Sequence, residues 1–168
     1  MLALELAATI AGGPDLLGFE QYETGLAAYL PAEDPEIILH HRLHSIGGHL
    51  PPDVRDAARE NLLVEPLLGH SPDLLDERWE AALTRMAEGK RLVILDTLSR
   101  FHSGEENDEV AAKAVMRTLE RIAAASGAAV VYCHHANKTS IREGSGESQA
   151  AARGHSVFTD DGRWQANL

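Results

Sequence analysis

The segment Arg91-Leu92-Val93-Ile94-Leu95-Asp96-Thr97 decides the fold class. Four aliphatic residues follow one another without alternation and close on a carboxylate. A strand exposed on one face alternates apolar and polar residues. A strand covered on both faces is apolar throughout, which is the mark of a parallel sheet between two layers of helices. Outward toward the C-terminus, a polar loop from Ser103 to Asp108 leads into a helical pattern from about Glu109 to Ser126, which Gly127 ends. A second apolar strand, Ala128 to Cys133, follows and closes on His134-His135.

Toward the N-terminus the same alternation of elements continues. Ser71-Pro72 opens a helix in which Leu75, Trp79, Ala82, Leu83 and Met86 share one face, and Gly89 ends it. Leu62 to Leu68 is an apolar run read as a strand, and a short helix after Pro51-Pro52-Asp53 reaches about Glu60. Leu39, Leu43, Ile46 and Leu50 form one helical stripe behind Pro35, which suits a first helical position. Leu26-Ala27-Ala28-Tyr29-Leu30, bounded by Gly25 and Pro31, is a buried strand. A loop to about Glu23 separates it from a first helix carrying Leu2, Leu4, Leu6, Ala7 and Ile10, which Gly12-Gly13-Pro14 stops. At the other end, Ala136 to Gly154 reads as a long Gly/Ser-rich loop. Two short strands, about His155–Phe158 and Arg163–Gln165, then flank the turn Thr159-Asp160-Asp161-Gly162. Strands alternating with helices predict an α/β fold with a mostly parallel sheet flanked by helices, in a single domain over 1–168.

Composition narrows the function classes. With 44% hydrophobic and 24% charged residues, the chain has the make-up of a globular protein. A chain of 168 residues buries ~70% of the surface its unfolded form exposes. No apolar run approaches the ~18 residues of a membrane span, so no membrane association is expected. The single cysteine, Cys133, has no internal disulfide partner, and the expected location is cytoplasmic. Fifteen basic against 26 acidic residues give a net charge of −11, unfavourable for a simple nucleic-acid binder. A grip by a few basic residues on one loop stays compatible with it. The loop 136–154 offers Lys138, Arg142 and Arg153 for that purpose, and its composition suits a disordered linker as well.

In parallel α/β sheets, ligands bind beyond the carboxyl ends of the strands. Glu33 and Asp34 follow the first strand, Asp96-Thr97 the central one and His134-His135 the next. The stretch 91–96 has the form of a Walker B strand, in which a buried strand delivers one carboxylate to Mg²⁺ and its waters. Apolar strands also end in Asp as a turn cap. Glu33 is placed to orient an attacking water, or else serves as an N-terminal helix charge ahead of Pro35. The nine histidines raise a metal site: His40 and His44 stand one helical turn apart, with Glu36 a turn earlier. No HExxH or cysteine pair accompanies them, and the same spacing suits a solvated helix face. Of His134 and His135, alternation lets only one face the strand-end site.

Taken together, these residues resemble the RepA-type hexameric plasmid replicative helicases and their RecA-like relatives among the AAA-family ATPases. The matching stretches run in order along the chain: Ala11-Gly12-Gly13-Pro14-Asp15-Leu16-Leu17, Tyr29-Leu30-Pro31-Ala32-Glu33-Asp34-Pro35, His40-His41-Arg42-Leu43-His44, Leu95-Asp96-Thr97-Leu98 with Arg100-Phe101-His102, His134-His135-Ala136, Ala152-Arg153-Gly154 and Arg163-Trp164-Gln165. The resemblance implies a RecA-like three-layer fold that binds ATP and Mg²⁺. It implies that Glu33 polarises the attacking water, that Asp96 holds Mg²⁺ through water with Thr97 beside it, and that His135 senses the γ-phosphate. Arg163 is implied as an arginine finger offered to a neighbouring subunit, with Arg42 a second arginine near that interface. Lys138, Arg142 and Arg153 would face single-stranded DNA in a ring, by resemblance a hexamer.

One departure stands out. The phosphate-binding loop G-x-x-x-x-G-K-[ST] of that family is absent, and Met1 aligns just after its hydroxyl residue. The first strand and the C-terminal strands of the RecA-like fold are missing with it. The expectation is a fragment that binds ATP and Mg²⁺ weakly. The alternatives are a non-catalytic regulatory or interaction domain of the same fold and, third, a metal-dependent hydrolase using the histidines.

Overall fold

The structure, a computed structural model, describes residues 2–18, 20, 22–48, 50–104, 108–134, 157–160 and 162. Its centre is a four-stranded sheet built from β1 (Ala27–Pro31), β2 (Leu62–Val64), β3 (Leu92–Asp96) and β4 (Ala129–Tyr132). The strand order is β2-β1-β3-β4, and every pairing is parallel. All five residues of β1 and the first four of β3 are buried, so these strands are apolar on both faces, as a covered sheet requires.

Alternation sorts the strand side chains into two cores. Ala27, Tyr29, Leu92 and Ile94 pack with Leu4, Ala7 and Ala11 around helix α1 (Leu2–Ile10) and with Leu39 of α2 (Glu36–Gly48). Ala28, Leu30, Val93 and Leu95 point the other way, to α4 (Glu77–Ala87) and α5 (Glu109–Ser126). Helix α3 (Pro52–Asn61) lies beside the end of α1, where the Asn61 amide donates to the Ala11 carbonyl at 3.1 Å. The result is three layers with helices on both faces of the sheet.

Helix α5 shows why its sequence folds this way. Ala112, Val115, Met116, Leu119 and Ile122 recur at helical spacing, and all are buried. Asp108 caps its start by accepting from the Val110 and Ala111 amides. Gly127, at φ +74°, ends it in the left-handed conformation. On the outer surface Arg121 grips Glu80 of α4 with two bonds of 2.7 and 2.8 Å, a link worth under ~1 kcal/mol at such exposure.

The structure corrects several element assignments. Helix α4 begins at Glu77 behind its cap Asp76, not at Ser71-Pro72. Leu74 is buried, and its amide donates to the Phe101 carbonyl at 2.7 Å, which holds a turn closed by the Asp76 amide on the Asp73 carbonyl against the core. Strand β2 stops at Val64 rather than Leu68. Beyond it Pro66 has no N–H to give, although the Glu65 and Leu67 amides still reach the Tyr29 and Pro31 carbonyls. Leu50 lies past the end of α2, outside the helical stripe assigned to it. The strand expected at His155–Phe158 is contradicted at Val157–Asp160, which is a helical turn, α6. Val157 and Phe158 are consecutive and both buried in one core cluster, a placement that strand alternation does not permit. The expected strand Arg163–Gln165 lies outside the described residues. No helix among the described residues is long and apolar enough to cross a membrane.

Candidate functional site

The carboxyl ends of β1 and β3 form one edge of the sheet, and the polar side chains gather there. Pro31 and Asp96 are register partners, and the Ala32 amide donates to the Asp96 carbonyl at 2.7 Å. Glu33 and Asp34 therefore leave β1 beside the point where Asp96 and Thr97 leave β3. Helix α1 is aimed at the same edge. Its last carbonyl, Ile10, accepts from the Gly25 amide just ahead of β1, so the helix runs against the strands. Its first turn, with unsatisfied N–H groups and the positive end of the helix dipole, faces the strand ends.

Asp96 is the centre of the arrangement. It follows Leu92 and Ile94 in parity, so its carboxylate lies on the α1 side of the sheet. The buried Tyr29 hydroxyl, from the neighbouring strand, donates to Asp96 Oδ2 at 2.5 Å. Cys133 continues β4 on the other flank, where its amide donates to the Leu95 carbonyl and its carbonyl accepts from Leu98. Burial, then the hydrogen bond to Asp96 and the charges of Asp96 and Asp34, holds the Tyr29 hydroxyl far above its ordinary range. Burial first, and then Asp96, pushes the Cys133 thiol up to about 12. The Asp96–Thr97 peptide is cis, and the buried Thr97 hydroxyl lies 3.2 Å from that of Ser99.

Around this centre the charges are paired. Glu33 Oε1 meets Arg100 Nε at 3.1 Å, with both side chains partly open to solvent. Arg100 is set by a 3₁₀ turn, Leu98–Arg100, that directly follows Thr97. Arg42, on α2, pairs with Asp34. Glu33 and Asp34 are thus each engaged by a guanidinium, and Asp96, followed by the Thr97 hydroxyl, is the oxygen donor of the strand end. A single strand-end carboxylate fits a cation such as Mg²⁺, which keeps most of its waters, with Asp96 as its anchor.

A family model described as an AAA domain matches residues 1–140, most of the chain. The chain belongs to the AAA domain family. Family membership makes it a relative of nucleotide-hydrolysing ATPases, which bind ATP with Mg²⁺. Among solved structures this AAA domain is similar to the flagellar accessory protein FlaH from Methanocaldococcus jannaschii, at 16% identity and a TM-score of 0.35. The match covers 64% of this chain and 47% of FlaH, so the chain spans about half the length of that protein.

Of the residues singled out in the sequence, Glu33, Asp96 and Thr97 come together at one edge of this AAA domain, and Arg42 joins them through Asp34. His135, Lys138, Arg142, Arg153 and Arg163 lie outside the described residues. His134 turns to the opposite face and packs its ring 5.3 Å from Phe158. His102 stacks on the same ring at 5.8 Å. His40 contacts Glu36 at 3.5 Å on a solvated helix face. Among the described residues no three metal-ligating side chains come together, and the histidine-based hydrolase finds no site there. Two neighbours of Asp96 escaped the sequence reading. Tyr29 and Cys133 share its side of the sheet only through strand register, although a lone tyrosine inside an otherwise aliphatic strand was a visible hint.

Proposed function

We propose that this AAA domain is the core of an ATP-hydrolysing motor of the RepA replicative helicase type, which converts ATP to ADP and phosphate and couples this to movement on single-stranded DNA. The observation that carries the reading is the convergence of Asp96, Thr97 and Glu33 at the strand ends, where α1 also begins. In this reading Asp96 would hold Mg²⁺ through water, with Thr97 beside it at the nucleotide, and the cation when bound neutralises phosphate charge. Glu33 accepts a hydrogen bond from the attacking water and aligns it. The first turn of α1 offers N–H groups to phosphate oxygens. Arg163 and Arg42 serve a neighbouring subunit's ATP in a ring, in this proposal a hexamer, and His135 reports on the γ-phosphate. Lys138, Arg142 and Arg153 contact the DNA backbone.

The test is phosphate release with and without single-stranded DNA, together with nucleotide binding. Both are measured on the chain from Met1 and on one preceded by a phosphate loop. DNA-stimulated turnover is expected in the extended chain, with weak nucleotide binding in the shorter one. Glu33→Gln should lower turnover by about 10² or more, the contribution of a positioned general base. Arg163→Ala should lower it while leaving nucleotide binding by an isolated subunit unchanged. Near-normal turnover in Glu33→Gln would sink the assignment of Glu33, and turnover indifferent to DNA would sink the helicase reading.

A further inference from the structure

Tyr29 occupies a wholly buried position in β1 among Ala27, Ala28 and Leu30. A buried phenol is unfavourable unless its O–H finds a partner. Here the partner is the Asp96 carboxylate at 2.5 Å, at the short end of charge-assisted O–H···O⁻ bonds. Packing favours the same conclusion. Tyr29 and Asp96 are diagonal neighbours on the α1 face, since Tyr29 pairs with Ile94 and Pro31 with Asp96. Cys133 approaches Asp96 from β4 on the other side, near enough to feel its charge. Both strands that border β3 thus send a proton-bearing side chain to the same carboxylate.

We propose that Tyr29 is a positioning residue: its hydroxyl holds Asp96 Oδ2 and so fixes the orientation in which the carboxylate serves a divalent cation or a water on it. This rests on the reading of Asp96 as the carboxylate that serves the nucleotide's cation. The hydrogen bond fixes the rotation of the carboxylate and leaves its remaining lone pairs for the cation or the cation's water.

The first measurement needs no nucleotide. Tyrosinate absorbance is followed against pH for the wild-type protein, Tyr29→Phe and Asp96→Asn. Subtracting the Tyr29→Phe curve from the wild type should leave one transition far above pH ~10, the ordinary tyrosine value. Asp96→Asn should move that transition down, because the hydrogen-bonded charge is gone. A Tyr29 transition near pH 10 while circular dichroism still shows the native fold overturns the proposal outright. The second measurement, on the chain preceded by a phosphate loop, is the Mg²⁺ requirement for binding a fluorescent ADP analogue. Tyr29→Phe should need ~10-fold more Mg²⁺, as when an outer-shell partner of a metal-serving carboxylate is removed. A displaced titration with an unchanged Mg²⁺ requirement would overturn the positioning role. Absence of analogue binding in the wild type would count against the nucleotide reading and its cation, and the titration would still decide whether Tyr29 holds Asp96.

Discussion

Phe101 offers a direct test of how the site is held. It is fully buried, at 0% exposure, immediately after the 3₁₀ turn that carries Arg100. Its ring belongs to the core cluster shared by Leu74, Leu98, Val115 and Leu119. Its carbonyl accepts from Leu74 and its amide donates to Leu98, so it ties the segment after Asp96 to the start of the α4 region. Phe101→Ala removes a whole ring from this core, and such truncations cost about 3–5 kcal/mol. At roughly 2–4 °C per kcal/mol for a chain of this size, the midpoint should fall by about 6–20 °C. By contrast, the exposed Arg100–Glu33 pair that the turn presents contributes under ~1 kcal/mol. The assay is urea and thermal unfolding followed by circular dichroism, with Phe101→Leu as the control that keeps most of the volume and loses less than ~1.5 kcal/mol. A loss below ~1 kcal/mol in Phe101→Ala would refute the reasoning. Phe101 would then not be what anchors the strand-end loop.

Two further outcomes follow from single positions. Gly127→Ala should destabilise by ~1 kcal/mol in the same unfolding assay, because φ is +74° there while nothing lies within 4 Å of the added methyl, so the penalty is one of backbone alone. Cys133, with its thiol pushed up to about 12 from an ordinary value near 9, should resist iodoacetamide at pH 8 in the native state and react at once when unfolded. The same shift sets an alkaline limb. A folded-state value raised above the unfolded one gives stability that is complete below pH ~9 and is lost as pH rises toward 12. The raised Tyr29 value acts in the same direction, so stability that stays flat from pH 8 to 11 would contradict both environments.

What the sequence makes legible follows the range of the forces involved. Strands β1 and β3 are plain in it because a strand covered on both faces must be apolar throughout, and strand ends mark Glu33, Asp96 and Thr97 without further help. The start of α4 is misread because Ser71-Pro72 carries proper helix-start signals. A tertiary bond between Leu74 and Phe101, which no local pattern contains, overrides them. Val157-Phe158 looks like a strand from its side chains, yet both enter one core and the backbone turns. Phe101 sits inside a stretch that matches a family by its motif, and its own part is packing.

The same distinction explains the centre of the site. A residue's parity within its strand is local, but which residues of neighbouring strands share a face near Asp96 depends on register, and a slip of one residue would send Tyr29 to the α5 side. Register here is fixed by covering both faces: Tyr29 is the only polar-tipped side chain in β1, and on the α1 face its hydroxyl meets the Asp96 carboxylate. Tyr29→Phe would retain the apolar contacts that hold β1 against β3 and remove only the group that distinguishes one face from the other. The fold should survive that change while the conformation of Asp96 does not.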